Sequence, residues 1–452
     1  MLTRSSTRSL AVAATAALSL VLAGCGAGAG GGSSSGDAKS INVLMVGNPQ
    51  MVDIEKLTED SFTKYTGIKV NYTILPENEL RDKVTQDIAT KSGQYDVATI
   101  GAYEVPIWSE NGWLKPLDEY ADAGDYDKDD LIDPIVESLS GTDDKLYAMP
   151  FYGESSFLMY RKDIFEREGI EMPDKPTWEQ VADAAAEVDG AEPGMKGICL
   201  RGLPGWGEMF APLTTVVNTF GGTWFTEDWQ PQVDSPEFTE AVNFYVDLVK
   251  AHGEPGAAQA GFTECLNAMS QGKVAMWYDA TSAAGSLEDP AVSKVAGKVG
   301  YVSAPVKETE SAGWLWTWAW AMPETTKKAD AAAEFMTWAS SKDYEKLVGE
   351  ELGWARVPAG KRESTYEIPE YKKAAAAFGD KTLESIEAAN PTDPGVQARP
   401  TVGVQFVAIP EFQDLGTKVS QDIAAAIAGR GTVEEALANG QKLAEDVAKD
   451  YQ

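Results

Sequence analysis

The chain has 452 residues, of which 43% are hydrophobic and 24% are charged, the usual balance of a globular protein with two or three domain-sized units. Its formal net charge of −32 at pH 7 makes nucleic acid and anionic lipid poor partners, because both repel an acidic protein. A single histidine and three cysteines form no zinc-type cluster, and there is no glycine-rich phosphate loop, so neither a metal nor a cofactor is expected.

The first residues have the pattern of an export signal. Arg4 and Arg8 precede an uncharged stretch rich in Ala, Leu and Val, too short to span a membrane stably. The stretch ends in Leu-Ala-Gly-Cys at Cys25, which is similar to the lipobox of bacterial lipoproteins. We therefore expect a lipoprotein signal peptide at 1–24, and a lipidated Cys25 with a Gly- and Ser-rich tether at 25–39. The alternative is an ordinary cleavage site with an unmodified Cys25.

The next residues alternate between strand and helix patterns. Apolar strands are predicted at 41–47, 68–75 and 95–101, with amphipathic helices at 51–65 and 79–92 between them. A β-α-β-α-β start of this kind predicts a parallel sheet covered by helices. Ligands of such sheets bind beyond the carboxyl ends of the strands, so residues directly after the first and third strands become site candidates.

Three later helices begin with recognisable caps and carry no chemistry. Thr177 and Gln180 form a capping-box pattern that opens a helix to about 188. Pro236 suits the first position of a second helix, which Gly253 ends. The capping pattern that begins at Thr432 opens a third, near the end of the chain.

The segment 313–323 carries four tryptophans at alternate positions, Trp314, Trp316, Trp318 and Trp320, which would share one face of a strand. Two interpretations are open: a large core contact, or platforms in a cleft. In a cleft, an indole covers the C–H face of a sugar or polyol while its N–H donates to a hydroxyl. The choice for each tryptophan depends on strand register, which the sequence leaves open.

Five further places put an aromatic ring beside a charged group in a predicted loop. Carboxylates can accept hydrogen bonds from two hydroxyls at once, and arginine offers a planar fork of donors. This mixture suits a ligand that is dense in hydroxyls and has no net charge. The five places are Tyr103-Glu104, Tyr152 to Glu154, Trp206 to Glu208, Trp277 to Asp279, and Trp354 to Arg356.

From Cys25 to Gln452 the chain resembles the bacterial extracellular solute-binding proteins of the maltose-binding, sugar-recognising class. Besides the lipobox, the resemblance rests on Gly47-Asn48-Pro49, Tyr95-Asp96-Val97, and the segments 149–163, 271–281 and 322–338. Within that class, the tryptophan-rich segment 313–323, called the Trp strand below, resembles the sorbitol- and mannitol-binding members. The segments 199–208 and 264–290 resemble them as well.

The resemblance implies an α/β protein with a two-lobed periplasmic-binding-protein type II fold, whose ligand cleft lies between lobes joined by a multi-crossing hinge. The expected division is 40–150 plus 279–320 for the N-terminal lobe, and 151–278 plus 321–452 for the C-terminal lobe. It further implies an extracytoplasmic, membrane-anchored monomer that passes a sugar alcohol to the permease subunits of an ABC importer, with no catalytic residues.

The candidate ligand-binding residues come from both lobes. The first lobe would supply Asn48, Gln50, Tyr103 and Glu104. The hinge, the Trp strand and the second lobe would supply Tyr152, Glu154, Arg201, Trp206, Glu208, Trp277, Asp279, Trp316, Trp318 and Arg356. A disulfide between Cys199 and Cys265 is possible in an exported protein, although the sequence gives no distance between them.

Other functions remain open from the sequence. The same transport role could serve a monosaccharide or an oligosaccharide. An exported glycoside hydrolase would also combine aromatic platforms with paired carboxylates, here Glu154, Glu208 and Asp279. Against the hydrolase, the pattern shows no eight-fold strand-helix repeat. An anchored adhesin is a third alternative, and it would need an exposed aromatic or apolar patch.

Overall fold

Two mixed β-sheets form the framework of the computed structural model, which describes residues 39–124 and 126–452. The predictions for the signal peptide 1–24 and for Cys25 lie outside the described residues. The strands are β1 Ser40–Val46, β2 Lys69–Leu75, β3 Val97–Gly101, β4 Ala148–Glu154, β5 Ser156–Arg161, β6 Lys196–Cys199, β7 Val274–Ala280, β8 Val299–Ser303 and β9 Trp316–Ala321.

The first sheet has the strand order β2-β1-β3-β9-β4. Its first three strands are parallel, which confirms the predicted β-α-β-α-β start. Strand β9 enters from far along the chain and lies antiparallel between β3 and β4, so Gly101 and Tyr152 both pair with Trp318. The second sheet has the order β6-β7-β5-β8, in which β5 is antiparallel to both of its neighbours.

Helices cover both sheets. They are α1 Pro49–Thr58, α2 Lys64–Thr66, α3 Glu77–Thr90, α4 Glu104–Glu110, α5 Asp118–Ala121, α6 Asp133–Ser138, α7 Lys162–Glu168, α8 Trp178–Val188, α9 Phe210–Thr219, α10 Pro236–His252, α11 Phe262–Ser270, α12 Ala284–Leu287, α13 Ala329–Ala339, α14 Lys342–Glu351, α15 Pro369–Ala374, α16 Gly379–Glu387, α17 Phe412–Ile427 and α18 Val433–Ala448. A π-helical turn, Glu59–Thr63, joins α1 to α2. The predicted caps of α8, α10 and α18 are present.

Within the described residues, the chain passes between the bodies built on the two sheets at three places. Ser155 alone separates β4 from β5, the segment 304–315 leads from β8 to β9, and a third passage lies between α13 and α17. Helix α13 packs on β1 and β4, while α17 and α18 pack on α10. We refer to the bodies built on the first and second sheets as the first and second lobes.

This division differs from the one expected from the sequence. Strand β8 lies within the 279–320 segment assigned to the N-terminal lobe, yet it pairs with β5 in the second sheet. Helix α13 lies within 321–452, assigned to the C-terminal lobe, yet it packs on the first sheet. The reason is that β8 pairs with β5, far away in sequence, and local hydrophobic patterns do not determine which sheet a strand joins.

A disulfide joins Cys199, at the end of β6, to Cys265 in α11, with 5.6 Å between the Cα atoms. The bridge ties together two elements of the second lobe that both lead to the space between the lobes. Within the described residues, no helix has the length and apolar character needed to cross a membrane.

Candidate functional site

The two lobes are closed onto each other. At the start of α3, Asn78 donates from its side-chain amide to the carbonyl of Pro204 in the second lobe, at 2.9 Å. The hydroxyl of Tyr103 donates to the carbonyl of Ile409, at 2.6 Å. The ring of Tyr103 also packs on Trp206, with 4.6 Å between ring centroids. These contacts enclose the space between the lobes.

That space is a small cavity in the closed form of the protein. Five predicted residues line it: Asn48, Glu154, Arg201, Trp316 and Trp318. The prediction missed Glu77, Arg81, Phe262, Gln405 and Phe406, which line it as well, and it left open the role of Trp314, which also lines it.

Arg201 is the cation that the second lobe brings to the cavity. It follows β6, and its guanidinium donates to both carboxylate oxygens of Asp279 at the end of β7, at 2.8 and 2.6 Å. Its third contact is Glu208, at 3.2 Å. Burial acts to lower the pKa of Arg201, but Asp279 and Glu208 outweigh it and raise the pKa well above its ordinary value. Arg201 is therefore held charged and in a fixed orientation.

Arg81 is the matching cation of the first lobe, and the sequence prediction missed it. Its guanidinium donates to Glu77, four residues earlier in α3, and to Glu104 at the start of α4, each at 2.8 Å. It also lies over the indoles of Trp206, Trp316 and Trp318, within 4.1 to 5.1 Å of the ring centroids. An arginine stacked in this way gains cation–π attraction in addition to its ion pairs.

Two glycines make this arrangement possible. At Gly101, a Cβ atom would overlap the indole of Trp316, so the ring lies directly against the backbone of β3. At Gly207, a Cβ atom would overlap the guanidinium of Arg81 from the opposite lobe. The second lobe can therefore approach Arg81 closely because position 207 has no side chain.

The four tryptophans of 313–323 divide between the two roles that the sequence left open. Trp314, Trp316 and Trp318 line the cavity. Trp320 packs in the core of the first lobe, edge-on to Phe151 and Phe335. The Trp strand therefore runs from the cavity into the core.

The other predicted site residues lie around the cavity. Tyr152 accepts a hydrogen bond from Asn48 at 2.9 Å, and Gln50 donates to the carbonyl of Ser282 at 3.0 Å. Glu104 and Trp206 contact Arg81, and Tyr103 packs on Trp206. Trp277 donates to Asp279 at 3.0 Å, so it supports the carboxylate that orients Arg201.

Arg356 does not reach the cavity. It donates to both carboxylate oxygens of Asp53 in α1, at 2.9 and 2.7 Å, and to Asp289 at 3.0 Å. The Trp354 to Arg356 pairing of ring and charge therefore belongs to an ion-pair cluster outside the cavity lining. The closeness of Trp354 and Arg356 in sequence did not show which groups the guanidinium of Arg356 contacts.

One group of potential metal ligands lies in the described part of the chain, namely Cys199, Glu254 and Cys265. Both sulfur atoms are consumed by the disulfide. Metal binding needs free thiolates, so this group does not form a metal site.

Burial changes the protonation of the cavity carboxyls. It raises the pKa of Glu154 to about 8, although a hydrogen bond from the Ser282 hydroxyl and the charge of Arg201 oppose the shift. Burial also raises the pKa of Glu208, and the negative charge of Glu77 adds to that shift. A protonated Glu154 can donate as well as accept a hydrogen bond at neutral pH.

Comparison with known proteins decides the family. Residues 48–346 match the profile of the family described as bacterial extracellular solute-binding protein. The chain belongs to this family. A mannitol-binding protein of Pseudomonas aeruginosa is 41% identical over 408 residues, which cover 90% of this chain and 92% of the relative.

Solved structures agree with the two-lobed fold. An ABC transporter solute-binding protein from Agrobacterium vitis with bound D-mannitol is 49% identical, with a TM-score of 0.89 over 92% of this chain and 99% of that chain. One from Agrobacterium radiobacter in complex with ribitol is 24% identical, with a TM-score of 0.79 over 91% and 99% of the two chains, and indicates the fold alone. The predicted type II periplasmic-binding-protein fold is confirmed.

Membership in this solute-binding family makes the chain an extracytoplasmic binding protein rather than an enzyme. The hydrolase alternative is therefore not supported. The three carboxylates it would have used have other partners: Asp279 and Glu208 hold Arg201, and Glu154 accepts from Ser282.

We predict that Glu154 makes the stability of the protein fall with rising pH. Its pKa of about 8 lies above the ordinary 4.5, so its protonation stabilises the fold fully below about pH 4.5, and this stabilisation is lost as the pH rises through 8. Glu154→Gln makes the side chain neutral at every pH, while the groups that act on it, Arg201, Asp279, Glu77 and Ser282, remain in place. Between pH 5 and 9 the melting temperature of the variant should therefore fall less than that of the wild type. Equal pH dependence of the two proteins would contradict the assignment.

Proposed function

We propose that this chain captures a hexitol such as D-mannitol in the cavity between its lobes and delivers it to the permease of an ABC importer. The observation that carries the proposal is one enclosed cavity in which tryptophan faces lie beside arginines already paired with carboxylates. The similarity to two proteins associated with mannitol supports the choice of ligand.

The charges of the cavity favour a neutral ligand. Arg81 and Arg201 are each neutralised by two carboxylates of the protein. An anionic solute would have to displace those carboxylates or lie beside them, and like charges at close range are unfavourable. Hydroxyls, in contrast, can accept from the guanidinium edges and donate to the carboxylate oxygens without adding charge.

Ligand contacts from both lobes would couple binding to closure. Asn48 and Arg81 come from the first lobe, and Arg201 and Phe262 from the second. A ligand stabilises the closed form only by the difference between its affinities for the closed and open forms. In this proposal the lobes move about the three passages of the chain between them, at Ser155, at 304–315 and between α13 and α17.

We further propose that the protein is a monomer held at the outer face of the cell membrane by a lipidated Cys25. The support is the sequence alone: a Leu-Ala-Gly-Cys motif after an apolar export signal, followed by a Gly- and Ser-rich tether. One acyl-anchored cysteine with such a tether leaves the lobes free to reach a permease.

Thermal unfolding against a panel of solutes tests the proposed ligand class. Ligand binding raises stability by RT ln(1 + [L]/Kd), so the melting temperature should rise with D-mannitol or another hexitol. It should not rise with sn-glycerol 3-phosphate, which carries negative charge. A rise only with hexoses or disaccharides would keep the transport role and contradict the polyol assignment.

A matched pair of variants tests the role of Arg201. Asp279→Asn removes the charge that orients this guanidinium, so affinity for D-mannitol measured by calorimetry should fall about tenfold or more. Asp163→Asn is the control, because Asp163 accepts the same two-pronged contact from Arg161, at 2.7 Å for each bond, outside the cavity lining. Equal affinities of the two variants would remove Arg201 from the proposed site.

A further inference from the structure

Two polar atoms of cavity residues are buried without a hydrogen-bond partner among the described residues. They are Nε1 of Trp314, a donor, and the side-chain carbonyl oxygen of Gln405, an acceptor. Trp314 is fully buried and Gln405 is 4% exposed. A buried polar group without a partner destabilises a protein, so such atoms in a cavity wall indicate that something else satisfies them.

The surroundings hold Trp314 directly, and they hold the backbone at Gln405 through the residue that follows it. Trp314 lies in the 304–315 crossing, where its backbone N–H donates to the hydroxyl of Ser156 at 3.3 Å and its indole packs on the ring of Tyr278. Gln405 precedes Phe406, whose ring packs on Trp316 and Trp206 at 5.5 and 5.0 Å. The donor therefore comes from the hinge and the acceptor from a loop of the second lobe.

We infer that Trp314 and Gln405 are the residues that recognise ligand hydroxyls by uncharged hydrogen bonds, Trp314 as donor and Gln405 as acceptor. This inference rests on the proposed function and specifies how that site selects its ligand. A hydroxyl can accept from Trp314 and donate to Gln405, whereas an ether or carbonyl oxygen only accepts and a methylene group does neither. Each of the two residues therefore favours a ligand hydroxyl beside it.

The arginines cannot provide this selection to the same degree. Their fixed partners are carboxylates of the protein, so a missing ligand hydroxyl still leaves each guanidinium with ion pairs. A missing hydroxyl beside Trp314 or Gln405 leaves a buried atom with no partner at all among the described residues. Sites with unpaired polar groups discriminate most strongly against analogues that lack the matching group.

The test compares two cavity variants with a control in the tryptophan-rich segment 313–323. Trp314→Phe removes the N–H and keeps an aromatic ring, and Gln405→Met removes the amide and keeps the length of the side chain. Trp320→Phe is the matched control, since its Nε1 is also buried without a partner in the described part of the chain but the ring packs on Phe151 and Phe335 in the core. Calorimetry measures the affinity of each purified protein for D-mannitol and for its monodeoxy derivatives.

We expect the two cavity variants to bind D-mannitol about fivefold to tenfold more weakly than the wild type, and Trp320→Phe to bind as the wild type does. The wild type should bind at least one monodeoxy derivative about tenfold more weakly than D-mannitol. Gln405→Met or Trp314→Phe should lose little further affinity for that derivative, because the hydroxyl they recognise is already absent.

The outcomes separate this inference from the proposed function. If the wild type binds D-mannitol and both cavity variants bind it equally well, the roles of Trp314 and Gln405 are wrong and the proposed function stands. An equal loss in Trp320→Phe would assign the effect to general packing and overturn the inference. A wild type that binds no polyol would overturn the proposed function and this inference with it.

Discussion

Two arginines are buried in the space where the lobes meet, and their charges must be neutralised there. An isolated buried cation is strongly unfavourable, whereas a cation with well-placed carboxylates is tolerated. Arg81 draws Glu77 and Glu104 together and so fixes the start of α3 against the start of α4. Arg201 links the end of β6 to the end of β7 through Asp279. The walls of the cavity follow from these two sets of pairs.

The same pairs decide what the cavity can hold. Because the arginine charges are already matched by carboxylates, a charged solute finds no unmatched partner among them. The neutral groups that remain are the protonated carboxyl of Glu154, the indole N–H of Trp314 and the amide of Gln405, with the faces of Trp316 and Trp318 beside them. This combination of uncharged hydrogen-bonding groups and flat apolar surfaces matches the alternating C–H and O–H surface of a polyol.

The sequence predicted the elements better than their partners. The alternating start and the capped helices are local patterns, so they could be recognised without knowledge of the rest of the chain. The membership of β8 in the second sheet could not, because strand pairing between distant segments leaves no local signal. Arg81 was missed although Glu77 and Arg81 form an i,i+4 pair directly after β2, where the rule for strand ends could have found it. Gln405 lies in a long irregular segment whose pattern carries no such signal. Arg356 was included because it neighbours a tryptophan, and its side chain pairs with Asp53 instead.

The crystal structure of this protein with D-mannitol would test the central claim most directly. The account predicts one hexitol molecule between the closed lobes, in contact with the indoles of Trp316 and Trp318, with hydroxyls within hydrogen-bond distance of Glu154, Arg201, Trp314 and Gln405. A hexitol bound elsewhere on the protein would contradict the account. A cavity that stays free of hexitol in crystals soaked with a large excess of D-mannitol would contradict it as well.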